Sequence, residues 1–273
     1  MRYREWLRCT DPEAMLRDAL CGLHVPSRAE IEASNRRRQR RHSEPLPGYA
    51  YFEAEAARAS REFRVFTLTA AQPVLNRVDN AACHAAAAVG WRLAEGTASA
   101  EEVAEAALAL RGSHEAAVEV SRPYYVTPPE LSVLPRLARV LGFLFIPPVG
   151  DRFFAPYDAA RCLVVPEPFF ASGQPIPLLT PEETSASPRL IREIFGTRCC
   201  GKGPPHWRAE WVTDTALSLA HTMYEAREFS AMPILADALQ DAGCDNDDIL
   251  NHCRDANATH VRGCWVVAVV LGK

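Results

Sequence analysis

Apolar residues recur every three or four positions along most of this chain, and that spacing predicts helix after helix. In "CTDPEAMLRDAL", Met15, Leu16 and Leu20 form an apolar stripe. Thr10 can cap that helix with Glu13 as its reciprocal partner, Pro12 suits the first turn, and Gly22 marks the end. From 52 to 111 the chain is alanine-rich and helical. "FEAEAARASREFRVFTLTAA" places Phe52, Ala56, Ala59, Phe63 and Phe66 on one face. "DNAACHAAAAVGWRLAEG" continues with Asp79 as cap and Gly96 as stop; "SAEEVAEAALALRG" follows, capped by Ser99 and ended by Gly112. Alanine lets helices approach closely, so antiparallel neighbours are expected. His84, set among alanines, reads as a packed or surface side chain.

The same period organises the C-terminal part, 188–273. "SPRLIREIFG" reads as a short helix with Ser187 as cap, Pro188 in first position and Gly196 as stop. "TDTALSLAHTMYEARE" puts Ala216, Leu217, Ala220, Met223 and Tyr224 on one face. "MPILADALQDAGC" starts near Pro233 and stops at Gly243, and "DNDDILNHCR" is capped by Asp245. The tail "THVRGCWVVAVVLGK" can start a helix at Thr259, although its β-branched run also suits a buried strand. Helical neighbours favour helix. So apolar a run would be a hazard if exposed. Trp265 is therefore expected to be buried against "ALSLAHTMY" and "ILADAL".

Prolines break the pattern between 121 and 188, which holds 13 of the chain's 21. The same stretch carries "RPYYV", "FLFIPP" and "CLVVPEPFF", more aromatic than disordered linkers are. It is expected to be ordered but irregular, apart from one helix over about 129–142. The expected fold is thus mainly α and multi-helical, with a helical region at 1–112, a proline- and aromatic-rich segment at 113–187 and a helical module at 188–273.

Charge changes this picture in one place. The stretch 25–50 contains "SNRRRQRRHSEPLPG", with Arg36, Arg37, Arg38, Arg40 and Arg41 and almost nothing apolar. Such a run reads as a solvated arm, or as a contact for nucleic acid through counterion release. The net charge of −4 over 273 residues does not favour a polyanion partner overall. No apolar run approaches the ~18 residues of a membrane span, and the first residues lack the apolar core of a signal peptide. A cytoplasmic protein with no membrane partner is expected. The nine cysteines would then be mostly thiols.

"GTRCCGKG", 196–203, has the G-x-x-x-x-G-K spacing of a phosphate-binding loop. Such a loop needs a strand before it, a helix after it and a hydroxyl beside the lysine. Here the preceding "RLIREIF" reads as a helix, Gly203-Pro204-Pro205 follows, and Gly203 stands where Ser or Thr should. Gly196 is better explained as a helix terminator. "DNDDIL" lacks the glycine and late glutamate of a calcium loop.

The C-terminal residues also gather Cys244, His252, Cys253, His260 and Cys264. Four of them, Cys244, Cys253, His260 and Cys264, could in principle give a Cys₃His zinc site, although without the close cysteine pair of a finger or ribbon. Cys199-Cys200 is too tightly spaced for easy chelation by both thiolates. The favoured reading is that these cysteines fill small gaps between short helices, with the metal site as the alternative. A catalytic thiol, Cys253 or Cys264 with His260 as base, would need an exposed, acidified thiolate. The Trp-Val-Val neighbourhood points instead to burial.

The tail "MPILADALQDAGCDNDDILNHCRDANATHVRGCWVVAVVLGK" resembles the C-terminal module of a bacterial family that occurs as many paralogues in large genomes. "REWLRCTDPEAML", "REFRVFTLTAA" and "RLAEGTASAEEVAEA" resemble earlier segments of that family. The family's cysteine- and arginine-rich stretch is replaced here by "TLTAAQPVLNRV", and the basic arm and proline-rich region depart from it. The resemblance carries no established activity and no catalytic residues. With no catalytic set in view, the expected function is a non-catalytic interaction or scaffold protein with a protein partner. The alternatives are a zinc-binding regulatory protein and a nucleic-acid-associated one.

Overall fold

The computed structural model describes residues 3–20, 28–40, 49–121, 129–145, 155–165, 167–168, 175–196 and 207–273. The protein is mainly α, as its periodicity predicts. Among the described residues, no helix is long and apolar enough to cross a membrane. The chain forms two compact units: Leu20–Ser185, and Met1–Ala19 together with Ala186–Lys273.

The first unit holds α3 (Arg28–Arg40), α4 (Tyr49–Arg77), α5 (Ala81–Ala94), α6 (Ala100–Ser121), α7 (Pro129–Phe143) and α8 (Ala155–Val164). Helices adjacent in sequence pack on one another from α4 to α8, and α8 returns to lie on α4. The described part of the α4 stripe is buried as read, with Ala59, Phe63 and Phe66 enclosed; the side chains of Phe52 and Ala56 lie outside the described residues. Arg64 is buried among them, donates from Nε to the Leu144 carbonyl at 2.9 Å, and has its pKa lowered to about 10 by burial. At the start of α6 the Ser99 hydroxyl accepts from the Glu102 amide while the Glu102 carboxylate accepts from the Ser99 amide. This reciprocal pair is the capping box.

Four expectations are corrected here. The α5 cap is Asn80, not Asp79; its side chain accepts from the Cys83 amide. Helix α6 does not stop at Gly112 but runs on to Ser121, because a helical glycine costs only about 1 kcal/mol. The basic stretch is not all loop. Arg36, Arg37, Arg38 and Arg40 stand exposed on α3, which is anchored by the buried Ile31. Arg41 lies outside the described residues. The proline-rich region is also more helical than expected. Pro129 and Pro181 open helices, where a missing N–H costs nothing, while Pro135 and Pro188 are held inside them. A two-residue antiparallel pair, Glu167–Pro168 with Pro175–Ile176, completes the segment.

The second unit contains α1 (Tyr3–Arg8), α2 (Pro12–Leu20), α10 (Asp214–Ala226), α11 (Met232–Asp241), α12 (Asp247–Arg254) and α13 (Trp265–Val270). Helix α9 (Pro181–Phe195) enters it at Ala186. Here α9 starts well before the expected Ser187 cap: Thr180 and Glu183 form its capping box. Asp11 rather than Thr10 caps α2, accepting from the Glu13 and Ala14 amides. Asn246 rather than Asp245 caps α12. The tail is helical from Trp265 only, and the residues from Thr259 to Gly263 form turns and extended chain. Its apolar run is buried with Ala216, Met223, Tyr224, Leu235 and Leu239, as expected, while Leu217 faces outward.

Gly196 and Gly243 end α9 and α11 with φ of +56° and +88°, the left-handed conformation that glycine adopts freely. At Gly196 a side chain is excluded twice over, since a Cβ would lie 2.7 Å from Trp265 Cγ. Trp6 Nε1 donates to the Gly196 carbonyl at 3.0 Å. Arg192 donates to the carbonyls of Trp6 and Cys9. The two ends of the chain are thus tied at the last turn of α9.

Candidate metal centre

The last turn of α9 also places a carboxylate inside the second unit. Ile191, Ile194 and Phe195 are buried there, and so is Glu193, with a side chain only 6% exposed. An acid in the last turn of a helix faces the negative end of the helix dipole. Glu193 is held there by other partners. Its Oε1 accepts from the Val261 amide at 3.4 Å and lies 3.0 Å from His260 Nδ1. Its Oε2 lies 3.6 Å from His252 Nε2.

His252 comes from α12. The Asn246 cap fixes the start of that helix, and Ile249, Leu250 and Cys253 form its buried face. His252, three residues after Ile249, sits at the edge of that face. Its Nε2 is 3.2 Å from Cys264 Sγ. Cys264 immediately precedes α13, its carbonyl accepting from the Ala268 amide. The His252 ring packs against His260 at 5.0 Å and Trp265 at 5.3 Å between centroids.

Glu193, His252, His260 and Cys264 thus offer four ligand atoms within 4.8 Å of one another. A tetrahedral ion with bonds of ~2.0–2.3 Å has ligand–ligand edges of about 3.3–3.8 Å. From His252 Nε2, Cys264 Sγ at 3.2 Å and Glu193 Oε2 at 3.6 Å fall close to that range; His260 Nδ1 and Glu193 Oε1 are nearer, at 3.0 Å, and the group as a whole spreads to within 4.8 Å. His260 Nε2 is buried with no hydrogen-bond partner. It is not the nitrogen that meets Glu193, which is Nδ1, so an ion bound through Nδ1 would not relieve it.

Burial dominates the electrostatics. It lowers the His252 pKa to about 4, against the weaker opposing pull of Glu193. It raises the Cys264 thiol well above its ordinary value, and the Glu193 charge adds to the rise. Cys264 is fully enclosed. A thiol that is both buried and hard to ionise does not serve as a nucleophile. In contact with a metal ion, the same thiol would bind as the thiolate.

Two of the four residues expected as ligands are in this group, His260 and Cys264. Cys244 and Cys253 are buried in the apolar core of the unit instead, and burial raises both thiols, Cys253 to about 12. Adjacent residues on a helix point about 100° apart, so His252 and Cys253 cannot both face one point. The histidine faces the polar group and the cysteine the core. Glu193 was missed because it reads as a surface charge of an amphipathic helix. The signal available was an acid in a last turn, where a base is favoured.

The group lies at the wall of a cleft of about 770 Å³. Glu193 and His252 line it, together with Trp6, Arg189, Asp248 and Trp265. The other sequence features lie elsewhere. The lysine of "GTRCCGKG" is outside the described residues, and the segment before Gly196 is a helix rather than the strand a phosphate loop requires. The chain matches no family model, no curated protein and no solved structure.

Proposed function

We propose that this protein is a zinc-binding regulatory module, with Glu193, His252, His260 and Cys264 as the metal ligands. The observation that carries the reading is the convergence of four ligand atoms, from three separate parts of the chain, within 4.8 Å. One thiolate, two imidazoles and a carboxylate are donors that zinc accepts in a tetrahedral site. The mixed set favours zinc over calcium or magnesium, which take oxygen ligands. Thiolate and carboxylate together balance the charge of a divalent ion, so burying the group with its metal costs less than burying the anions alone.

The ion would join α9, α12 and the chain before α13, which short helices alone hold weakly. Metal binding is then coupled to the order of this unit, and a partner that reads its surface would sense the metal. The test is elemental analysis of the full chain after exhaustive dialysis against metal-free buffer. About one zinc per chain, the capacity of one four-donor site, is expected. The double variant His252→Ala/His260→Ala should lose it, whereas Cys253→Ala should keep it. A wild-type chain free of zinc that also fails to take it up on reconstitution would refute the reading.

A further inference from the structure

Resting on that zinc reading, the geometry points to a metal that is open on one side: we propose that the cleft admits the carboxylate of a small apolar organic acid, which binds the metal in exchange for Glu193.

The four ligands are not equally enclosed. Cys264 is fully buried and, like His260, does not line the cleft, while Glu193 and His252 form part of its wall. An ion held by this set would be backed by Cys264 and His260 and would meet the cleft beside the Glu193 carboxylate and His252. The carboxylate is also the hard, readily exchanged member of the set. Thiolate and imidazole are the softer donors that zinc retains.

Glu193 has a resting place away from the metal. Its Oε1 also accepts from the Val261 amide at 3.4 Å, so losing a metal contact would not leave the group without a partner. A carboxylate entering from the cleft replaces one oxygen anion with another. The exchange keeps the charge balance at the ion and breaks no covalent bond.

The cleft fits such a ligand. Its volume of about 770 Å³ lies in the range of small-molecule sites. Leu7, Leu190, Ala258 and Val261 supply apolar wall, and Arg189 is an exposed cation beside it. A polar head would thus meet the metal and an apolar body the wall. The shared chemistry is an apolar carboxylate, whether a free acid or the carboxyl end of a peptide.

The experiment uses the full chain, stripped of metal and loaded with cobalt(II), with 4-phenylbutyrate as probe and 4-phenylbutyramide as its uncharged control. A near-ultraviolet charge-transfer band reports cobalt bound to Cys264, and the visible bands report the coordination sphere. The expected result is a saturable change in the visible bands with the acid and none with the amide, while the charge-transfer band persists. A short peptide ending in Phe, with a free or amidated terminus, separates the two sources. A response to the free terminus stronger than that to 4-phenylbutyrate assigns the site to chain ends, and a weaker one to free acids. A charge-transfer band with visible bands unmoved by any carboxylate would mean a closed metal and overturn the inference alone. Absence of the charge-transfer band would overturn the zinc reading beneath it.

Discussion

The two units of this protein use helices differently. In Leu20–Ser185, long helices bury alanine, leucine and phenylalanine, and the Arg64 guanidinium enclosed among them donates to the Leu144 carbonyl. In the unit built from the two chain ends, α11, α12 and α13 have ten residues or fewer, and four titratable side chains share one enclosed space. Long alanine-rich helices gain stability by close packing along their length. Short helices have little contact area to gain, so a unit made from them benefits from a cross-link. The contrast teaches that, among the described residues, the cluster of potential metal ligands lies in the unit that contains the shortest helices.

The largest effect should come from the second unit's keystone. Trp265 is buried, covers Gly196 and packs on His252. Trp265→Ala should cost about 3–5 kcal/mol in denaturant unfolding. A variant that melts like wild type would show that the tail is not part of the core.

Removing the metal should come next. Zinc present at a hundredfold over its dissociation constant stabilises by about 2.7 kcal/mol. Chelation should therefore speed hydrogen exchange in α9, α12 and α13 and leave α4 to α7 unchanged. Equal acceleration in both units would break the comparison. Gly196→Ala should cost at least about 1–2 kcal/mol from the left-handed backbone alone, plus the displacement of the Trp265 ring. Gly112→Ala, in an open stretch of α6, should be neutral or stabilising. Paired thermal melts of the two variants check this.

A smaller effect belongs to the first unit. The hydrogen bond from Arg77 holds the Glu183 carboxyl below its ordinary value. A depressed carboxylate contributes stability above its unfolded pKa of about 4.3, and that stability is lost as pH falls through the lower folded value. The pair is partly exposed, so Arg77→Met should cost less than about 1 kcal/mol at pH 7 and nothing in strong acid. The smallest effect is expected at α3. Replacing Arg36, Arg37 and Arg38 with alanine should change stability by no more than about 0.5 kcal/mol, because these side chains are exposed.

The sequence made the helical class legible, because period and caps are local signals: the Ser99 cap, and the glycine stops at Gly96, Gly196 and Gly243, stand where the pattern put them. Neighbouring candidates for one cap could not be separated, as at Asp79 and Asn80 or Asp245 and Asn246. The choice depends on which side chain the chain direction aims at the first free amides. The proline-rich segment misled because proline marks a helix start as readily as a break. The candidate site was half legible. His260 and Cys264 lie close in sequence, but Glu193 reaches them from 67 residues away, and no local pattern carries that distance. The choice of His252 over Cys253 required the direction of α12, which composition does not encode.

The measurement that tests the central claim most directly is X-ray absorption at the zinc edge of the purified full chain. The account predicts one sulfur at ~2.3 Å and three nitrogen or oxygen neighbours at ~2.0–2.1 Å, the signature of Cys264 with His252, His260 and Glu193. Two or three sulfur neighbours would contradict it, because the metal would then be drawn to Cys244 and Cys253, and the polar group around Glu193 would not be its site.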